Sequence, residues 1–371
     1  MGIRPLTTVS GVSAMGLGSR SHKVAIVGAG SAGMTIGHQL LRSGKFKPNE
    51  IALIDPSEWH HYQPGWTLNF TPDQNTLTFQ DGTRIEYEQL VICPGIKVDF
   101  KSIEGLDEAV GDPHSPVSSI YSYETCDKVA RDIAKFKKGK ALFTHPVGVF
   151  KCAGAPQKIM WLALDGWRRA GLYHPDPAKS YIQISFATGM SVMFGVPKYS
   201  ERLNALREQR GVEALFQHDL VAVHGDKATL TQADGTLVEQ KFDFLNAVPK
   251  MRPHDFVKHS SLANEAGFVD VDQMTLRHTK YDNVWSAGDA SCLQTSKTAA
   301  AITAQAPVLV ANLVSSLEKA PLPATYNGYT SCPLLTEYGK VMLAEFTYGG
   351  EPHETFAPLS TRARRGGLSI T

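Results

Sequence analysis

Short runs rich in β-branched residues alternate with longer stretches of helical periodicity along most of the chain. This is the pattern of strands that alternate with helices. Its first unit predicts a strand over residues 23–27, a helix from the following glycines to about Ser43, and a second strand over residues 51–54. A strand, a crossover helix and a second strand form a βαβ unit, so this segment predicts an α/β fold with a parallel sheet.

Other segments extend this pattern on either side of a second unit. Residues 76–79 and 84–87 flank an Asp-Gly turn, which predicts a β-hairpin. Residues 90–93 predict a further apolar strand, closed by Pro94-Gly95. Near the end of the chain, residues 284–286 predict a strand that leads into Gly288-Asp289, and an alanine-rich helix follows from about residue 296 to residue 317.

The second βαβ unit has strands predicted over residues 141–144 and 181–187, with a helix over residues 157–170 between them. Residues 212–249 then predict a β-rich meander with an Asp-Gly turn. The fold class predicted from these units is α/β, with two Rossmann-like dinucleotide-binding domains, the second nested within the first.

The first unit carries a dinucleotide-binding fingerprint: GxGxxG at Gly28, Gly30 and Gly33, with Asp55 at the end of the second strand. Gly28 permits a tight turn, Gly30 lets the backbone approach a pyrophosphate, and Gly33 allows close packing of helix on strand. Free N–H groups at the helix N-terminus attract phosphates. Asp55 can accept hydrogen bonds from ribose hydroxyls.

The corresponding loop of the second unit, residues 145–156, contains no GxGxxG, and the next strand ends in Thr188-Gly189 rather than an acidic residue. The fold repeats but the NAD signature does not, and Cys152 stands where a cofactor phosphate would lie. Gly288-Asp289, taken together with the N-terminal fingerprint, is interpreted as the second half of one FAD site.

Composition sets further limits. The chain has 371 residues, of which 42% are hydrophobic and 20% charged, a balance typical of globular proteins. The formal net charge of +1 gives no basic field to recruit nucleic acid. No apolar run approaches the roughly twenty residues that cross a bilayer. The first 22 residues contain basic residues and no acidic one, a composition typical of a mitochondrial targeting segment. A disordered N-terminal tail has a similar composition, and targeting is the favoured interpretation.

The five cysteines form no CxxC motif, which argues against a structural zinc site, and no metal is expected. Cys93, Cys126 and Cys292 are interpreted as buried small side chains. The predicted domains are a targeting segment (1–22), an FAD-binding domain (23–115 and 255–318), a second Rossmann-like domain with Cys152 (116–254), and a C-terminal segment with Cys332 and a basic tail (319–371).

Four motifs resemble those of the eukaryotic mitochondrial sulfide:quinone oxidoreductases, flavoproteins of the disulfide reductase superfamily. They are HYQP at residues 61–64 with Trp66, KCAGAPQKI at 151–159, TSKTAAA at 295–301 and GYTSCPL at 328–334. The resemblance runs from about residue 23 to residue 356, and the second and fourth motifs contain Cys152 and Cys332.

The resemblance implies oxidation of hydrogen sulfide by a disulfide between Cys152 and Cys332. Hydrosulfide opens the disulfide by thiol–disulfide exchange, Cys332 keeps the extra sulfur as a persulfide, and Cys152 passes two electrons into FAD at the flavin C4a position. An acceptor such as sulfide, sulfite or glutathione removes the sulfur, and reduced FAD passes its electrons to a quinone, ubiquinone by family. The implied location is mitochondrial, at the periphery of the inner membrane.

The resemblance also implies flavin contacts at Ser31, Ala32, Gln63 and Asp289, and places Lys297 beside the isoalloxazine, where its charge would stabilise the anionic reduced flavin. The complete set of candidate site residues combines these contacts with those of the fingerprints. Candidate catalytic residues are Cys152 and Cys332, and candidate cofactor-binding residues are Gly28, Gly30, Ser31, Ala32, Gly33, Asp55, Gln63, Gly95, Gly288, Asp289 and Lys297.

The sequence departs from the family pattern twice. Between Phe70 and Thr71 the family has a further helix and strand. After Phe356 it continues into amphipathic helices that dock on the membrane, whereas residues 357–371 here are basic and lack that period. We therefore expect a truncated form of the family, with weaker FAD binding, quinone reduction and membrane contact.

Two alternatives stay open at this stage. One is a flavoprotein like the type II NADH:quinone dehydrogenases, against which the missing second GxGxxG and the two cysteines count. The other is a truncated, non-catalytic flavin-binding product. Bound flavin separates the second alternative from the enzymes, and the choice of sulfide or NADH as reductant separates the two enzymes from each other.

Overall fold

The computed structural model describes residues 20–47, 49–55, 68–79, 82–355 and 364–365. In these ranges the α-helices are α1 (Ser31–Arg42), α2 (Leu106–Gly111), α3 (Cys126–Lys135), α4 (Ala155–Arg169), α5 (Pro197–Gln209), α6 (Asp255–Lys258) and α7 (Ala299–Leu317). The strands are β1 (Arg20–Val27), β2 (Ile51–Ile54), β3 (Leu68–Thr71), β4 (Thr76–Phe79), β5 (Arg84–Ile92), β6 (Lys97–Asp99), β7 (Val117–Ser118), β8 (Gly139–His145), β9 (Ile182–Thr188), β10 (Glu213–Phe216), β11 (His218–His224), β12 (Lys227–Gln232), β13 (Leu237–Lys241), β14 (Phe244–Asn246), β15 (Lys250–Arg252), β16 (Val284–Ser286), β17 (Thr330–Glu337), β18 (Lys340–Phe346) and β19 (Arg364–Arg365).

The chain divides into two compact units. The first holds the described residues up to Lys97, together with Pro253–Thr330 and Thr347–Gly349. Its sheet is built on β2, β1, β5 and β16, paired in parallel in that order. The central residues of these strands are buried, while α1 and α7 pack on the sheet and on each other, as expected of a parallel sheet covered by helices.

Strand β5 joins two elements that the sequence predicts as separate strands. On one side β5 pairs in parallel with β1 from Ile85 to Ile92. On its other side the first residues pair with β4 in an antiparallel hairpin, as predicted, and the last residues pair in parallel with β16. Along β5 the side chains first alternate between exposed and buried and then become continuously buried. The prediction of two strands is wrong because one continuous strand changes its partner from β4 to β16 while it stays paired with β1.

Helix α7 corrects the statement that no apolar run approaches membrane-spanning length. It has 19 residues with a mean hydropathy of 1.5, enough by length and composition to cross a bilayer. However, Ala306, Leu309 and Leu313 are fully buried in the core of the first unit, and the amide of Asn312 bonds the backbone of Thr275 and Ala324. Within the structure this helix packs on the parallel sheet of the first unit.

The second unit contains a parallel sheet of order β10-β9-β8-β14-β7 and an antiparallel sheet of β11, β12 and β13. The meander predicted over residues 212–249 is therefore correct only for its middle part. Its two ends, β10 and β14, instead join the parallel sheet. The physical reason is burial: all three residues of β14 are buried, and an outer meander strand would leave one of its faces in water.

The second unit begins at Val98 and extends to Arg252, whereas the sequence places the divisions at residues 115 and 254. Helix α2 accounts for most of the difference, because Leu106 and Val110 pack in the same core as Val117 and Leu220 of the second unit. The segment predicted as residues 319–371 is also divided between the units. Cys332, Leu334, Met342, Ala344 and Phe346 of β17 and β18 lie in the core of the second unit.

Within this core, strand β17 is fixed to helix α4 by an ion-pair cluster. Asp165 is fully buried, pairs with Arg168 at 2.7 Å and Arg169 at 2.8 Å, and accepts a hydrogen bond from the Tyr338 amide at 3.0 Å. Glu337 pairs with Arg210 at 3.0 Å. A buried carboxylate with three donors holds the end of β17 on the end of α4.

We predict that Asp165→Ala lowers the free energy of unfolding by about 2–3 kcal/mol, because it leaves the Tyr338 amide and two guanidinium groups without their shared acceptor. Chemical denaturation measures the change. Asp127→Ala is the matched control: its ion pair with Arg131 is exposed, so its loss is expected to cost less than about 0.5 kcal/mol. Equal losses for the two variants would contradict the role given to Asp165.

Candidate flavin site and cysteine pair

Two positions, one in the turn after β1 and one in the first turn of α1, accept only glycine. Gly28 has φ +103°, and a Cβ there would lie 2.5 Å from the Cys93 carbonyl oxygen. A Cβ at Gly33 would collide with the carbonyl oxygen of Gly28. The first glycine therefore serves the turn and the third the close packing of α1 on β1, as the fingerprint predicts.

The remaining parts of the fingerprint lie at the same edge of the sheet, because the strands are parallel and their carboxyl ends meet there. Gly30 is the N-cap of α1, and the first turn of that helix holds no acidic residue. Asp55, directly after β2, accepts a hydrogen bond from the Ala29 amide at 2.5 Å. Gly95, after β5, has φ +74°.

The segment around Gly288, predicted to be the second half of the FAD site, lies against the start of α1. Gly288 has φ +71°, and a Cβ at this position would be 3.2 Å from Cβ of Ala32. Its amide donates to Oε1 of Gln305 at 2.8 Å. A shallow concavity lies beside it, lined by Gly288, Asp289, Leu293, Thr295, Ser296, Lys297, Thr298, Ala301 and Gln305.

Lys297 lines this concavity, but it is not the solvated lysine that a helix start would suggest. It is half-buried, its Nζ donates to the Ser291 carbonyl at 2.6 Å, and it lies 4.9 Å from the centre of the Phe268 ring. Burial lowers the pKa of Lys297 to about 8, against the opposing charge of Asp289. A nearby negative charge would therefore raise this pKa and complete its protonation.

In the second unit the structure brings Cys152 and Cys332 together, although 180 positions separate them in the sequence. Cys152 lies half-buried in the loop between β8 and α4, and Cys332 is buried in β17. Both are free thiols in this structure. An interaction between the two thiols is the largest cause of the pKa shift of each of them, so the two side chains lie beside each other.

The approach of β17 depends on Gly154. A Cβ there would lie 3.8 Å from Cβ of Cys332 and would collide with the Leu334 side chain. Glycine therefore lets the strand that carries one cysteine reach the loop that carries the other.

The environment of the pair separates the two thiols chemically. The interaction with Cys332 lowers the pKa of Cys152, against the effect of burial, and the charge of Lys158, whose Nζ lies 3.5 Å from the sulfur, lowers it further. The same interaction raises the pKa of Cys332, and burial adds to the increase. Cys152 is therefore the thiolate of the pair and Cys332 its proton donor.

The other three cysteines lie in different surroundings. Cys93 is buried, which raises the pKa of its thiol, and Cys292 is half-buried and accepts a hydrogen bond from the Val271 amide. Both fit the interpretation as small packed side chains. Cys126 does not: it is exposed at the start of α3, so the expectation of burial is wrong for this residue.

Comparison with known proteins identifies the family. The sulfide:quinone oxidoreductase of Schizosaccharomyces pombe mitochondria is 45% identical over 92% of this chain and 84% of its own length. The mitochondrial enzyme of the same name from Dictyostelium discoideum is 40% identical over 93% of this chain and 83% of its own length. This chain belongs to the mitochondrial sulfide:quinone oxidoreductase family. Its members are flavin-dependent oxidoreductases, and the two relatives are mitochondrial proteins, as expected for this chain.

Solved structures agree on the fold of the family. The crystal structure of the sulfide:quinone oxidoreductase from Aquifex aeolicus matches with a TM-score of 0.69 at 17% identity, over 87% of this chain and 83% of that chain. It confirms the predicted α/β class with Rossmann-like domains. The alignment with the S. pombe relative spans 392 residues, more than the 371 of this chain, so the relative has segments without a counterpart here. No protein-family model matches the chain.

Sequence reasoning overlooked Lys158 and left one family contact untested. Lys158 lies within the KCAGAPQKI motif, and a signal was available: a lysine at the start of the helix after Cys152 can approach its sulfur. Gln63 and its HYQP motif lie outside the described residues. Tyr121 was also overlooked; its hydroxyl donates to the Lys151 carbonyl at 2.9 Å, and no local pattern in the sequence predicts this contact.

We predict that Gly154→Ala impairs formation of a bond between Cys152 and Cys332. The added methyl group displaces Leu334 and with it β17, so mild oxidation is expected to leave more free thiol at these two positions, counted by alkylation and peptide mass spectrometry. Gly166→Ala on the same helix is the control, because nothing lies within 4 Å of a Cβ there. If both variants form the disulfide as readily as the parent chain, Gly154 does not control the approach of β17 to the loop that carries Cys152.

Proposed function

We propose that this chain oxidises sulfide at the Cys152–Cys332 pair, with FAD as the electron acceptor and a quinone as the final oxidant. The observation that carries the proposal is the contact between a stabilised thiolate and a buried thiol, each inside a motif of the family. In the second Rossmann-like sheet, this pair stands in the region where a second dinucleotide would bind. The membership of the family supports sulfide and quinone as the substrates.

FAD fits the residues of the first unit. The turn at Gly28 leaves no room for a side chain, Ala32 and Gly288 lie side by side, and the start of α1 offers N–H groups for a pyrophosphate. We propose that Gly28, Gly30, Ser31, Ala32, Gly33 and Asp55 hold the adenosine and phosphate part, and that Gly95, Gln63, Gly288, Asp289 and Lys297 complete the site.

The chemistry of the cysteines follows from their unequal pKa values. In the oxidised pair, hydrosulfide attacks the sulfur of Cys332: a bond forms between the two, the bond between the cysteines breaks, and Cys152 leaves as a thiolate. The lower pKa makes Cys152 the better leaving group, and Lys158 stabilises the charge that it gains. Attack is thereby directed to Cys332, which keeps the extra sulfur as a persulfide.

The cycle closes when an acceptor such as a second sulfide, sulfite or the glutathione thiolate removes the outer sulfur of Cys332 and leaves a dithiol. FAD, when bound, supplies the two-electron oxidation that turns the dithiol back into the disulfide and passes the electrons to a quinone, which we propose to be ubiquinone. The choice of sulfur acceptor and a peripheral contact with the inner membrane are part of this proposal.

The test is anaerobic reduction of the bound flavin, followed by its absorbance. We predict that sulfide bleaches it, that a quinone restores it, and that NADH has no comparable effect. Cys152→Ser and Cys332→Ser are each expected to abolish bleaching by sulfide while FAD stays bound. Cys126→Ser is the control and is expected to behave like the parent chain. Rapid bleaching by NADH would instead favour the alternative that the chain is a flavoprotein like the type II NADH:quinone dehydrogenases.

A second prediction concerns FAD itself. Gly33→Ala forces α1 away from β1, so we expect FAD to bind about tenfold more weakly or worse, which equals at least 1.4 kcal/mol of binding free energy. Equilibrium dialysis of the apoprotein with FAD measures the change. Gly111→Ala is the control, since nothing lies within 4 Å of a Cβ at that position. Unchanged FAD affinity in Gly33→Ala would show that the fingerprint is not part of the FAD site.

A further inference from the structure

Cys152 has an unfavourable backbone conformation. Its φ is +58°, in the left-handed region that residues with a side chain rarely adopt. Such a conformation persists only when the surrounding structure holds it, and it is concentrated at functional sites. The question is which contacts hold this one.

Two hydrogen bonds fix the peptide groups on either side of the Cys152 Cα. The carbonyl of Lys151, in the preceding peptide group, accepts the Tyr121 hydroxyl at 2.9 Å. The carbonyl of Cys152, in the following peptide group, accepts the Ala155 amide at 2.9 Å. Because each peptide group is planar, the first bond restrains φ and the second restrains ψ of Cys152.

The second of these bonds belongs to the turn that starts α4, but the first comes from a side chain distant in sequence. Tyr121 follows β7, and its hydroxyl is the side-chain partner of the Lys151 carbonyl. This carbonyl and the Cys152 amide belong to the same planar peptide group. The hydrogen bond from Tyr121 therefore restrains the orientation of the Lys151–Cys152 peptide group.

We propose that Tyr121 is a positioning residue, whose hydroxyl keeps Cys152 left-handed and so aims its sulfur at Cys332 and Lys158. The proposal rests on the proposed function of the cysteine pair. Burial, and after it the charge of Cys152, raise the pKa of Tyr121, so its hydroxyl keeps its proton and remains a donor at neutral pH. In Tyr121→Phe the peptide group is free to rotate and to relieve the strain at Cys152.

The test compares Tyr121→Phe with Tyr173→Phe in the full chain. Tyr173 belongs to the same unit, and its hydroxyl likewise donates to a backbone carbonyl, that of Arg210, at 2.7 Å. Each variant keeps the aromatic ring and loses one hydrogen bond from a tyrosine hydroxyl to a backbone carbonyl. Similar decreases in Tm are therefore expected. Only Tyr121→Phe is expected to change the cysteine pair.

Two measurements on the pair are needed, and neither depends on flavin turnover. The first is the rate of iodoacetamide alkylation of Cys152 against pH, with the peptide identified by mass spectrometry. We expect the thiolate fraction of Cys152 at acidic pH to fall roughly threefold to tenfold in Tyr121→Phe, the equivalent of one hydrogen bond. The second is the dithiol–disulfide equilibrium in glutathione buffers, in which the disulfide of Tyr121→Phe is expected to be harder to reduce, because its reduced form has a less stable thiolate.

The proposal is overturned if Tyr121→Phe keeps the alkylation profile and the redox equilibrium of the parent chain. It is equally overturned if Tyr173→Phe shifts both as far, since the effect would then reflect general loosening of the unit. A failure of the proposed function would give a different result. In that case sulfide would still bleach the flavin of Cys152→Ser, whatever the alkylation profiles of the tyrosine variants.

Discussion

The cysteine pair depends on the close contact between strand β17 and the start of helix α4. Gly154 permits this contact, since a side chain there would strike Leu334. The cluster around Asp165 and Glu337 holds the other end of the strand on the same helix. Two thiols far apart in sequence thus meet because one helix and one strand are fixed to each other at both ends. The unequal pKa values of the thiols then follow from their interaction with each other, from the burial of Cys332 and from the charge of Lys158.

In both units the candidate site residues lie at the carboxyl edge of a parallel sheet, but the residues at that edge differ. In the first, the carboxyl end of β1 leads into a glycine turn and a helix whose N-terminus is open to a phosphate. In the second, β8 leads into a longer loop, and a cysteine precedes the helix. A helix N-terminus stabilises a thiolate as it does a phosphate. The second sheet therefore preserves the electrostatic property of a nucleotide site and presents a cysteine to it.

The sequence allowed the fold class and the fingerprint to be predicted because these features are local. Glycine spacing, strand patterns and the acid at Asp55 are all contained in short segments. The continuity of β5, the placement of β10 and β14, and the assignment of α2 could not be predicted in this way, since burial by distant residues decides them. The contact of Cys152 with Cys332 was implied by the resemblance and not by spacing, and the role of Gly154 becomes visible only when Leu334 is placed opposite it.

The most direct test of this account locates the sulfur that sulfide leaves on the protein. The oxidised, flavin-loaded chain is exposed briefly to sulfide without an added acceptor, alkylated, digested and examined by mass spectrometry. The account predicts one extra sulfur on the peptide of Cys332 and an alkylated thiol without extra sulfur at Cys152. Extra sulfur on Cys152, Cys93, Cys126 or Cys292, with none on Cys332, would contradict it.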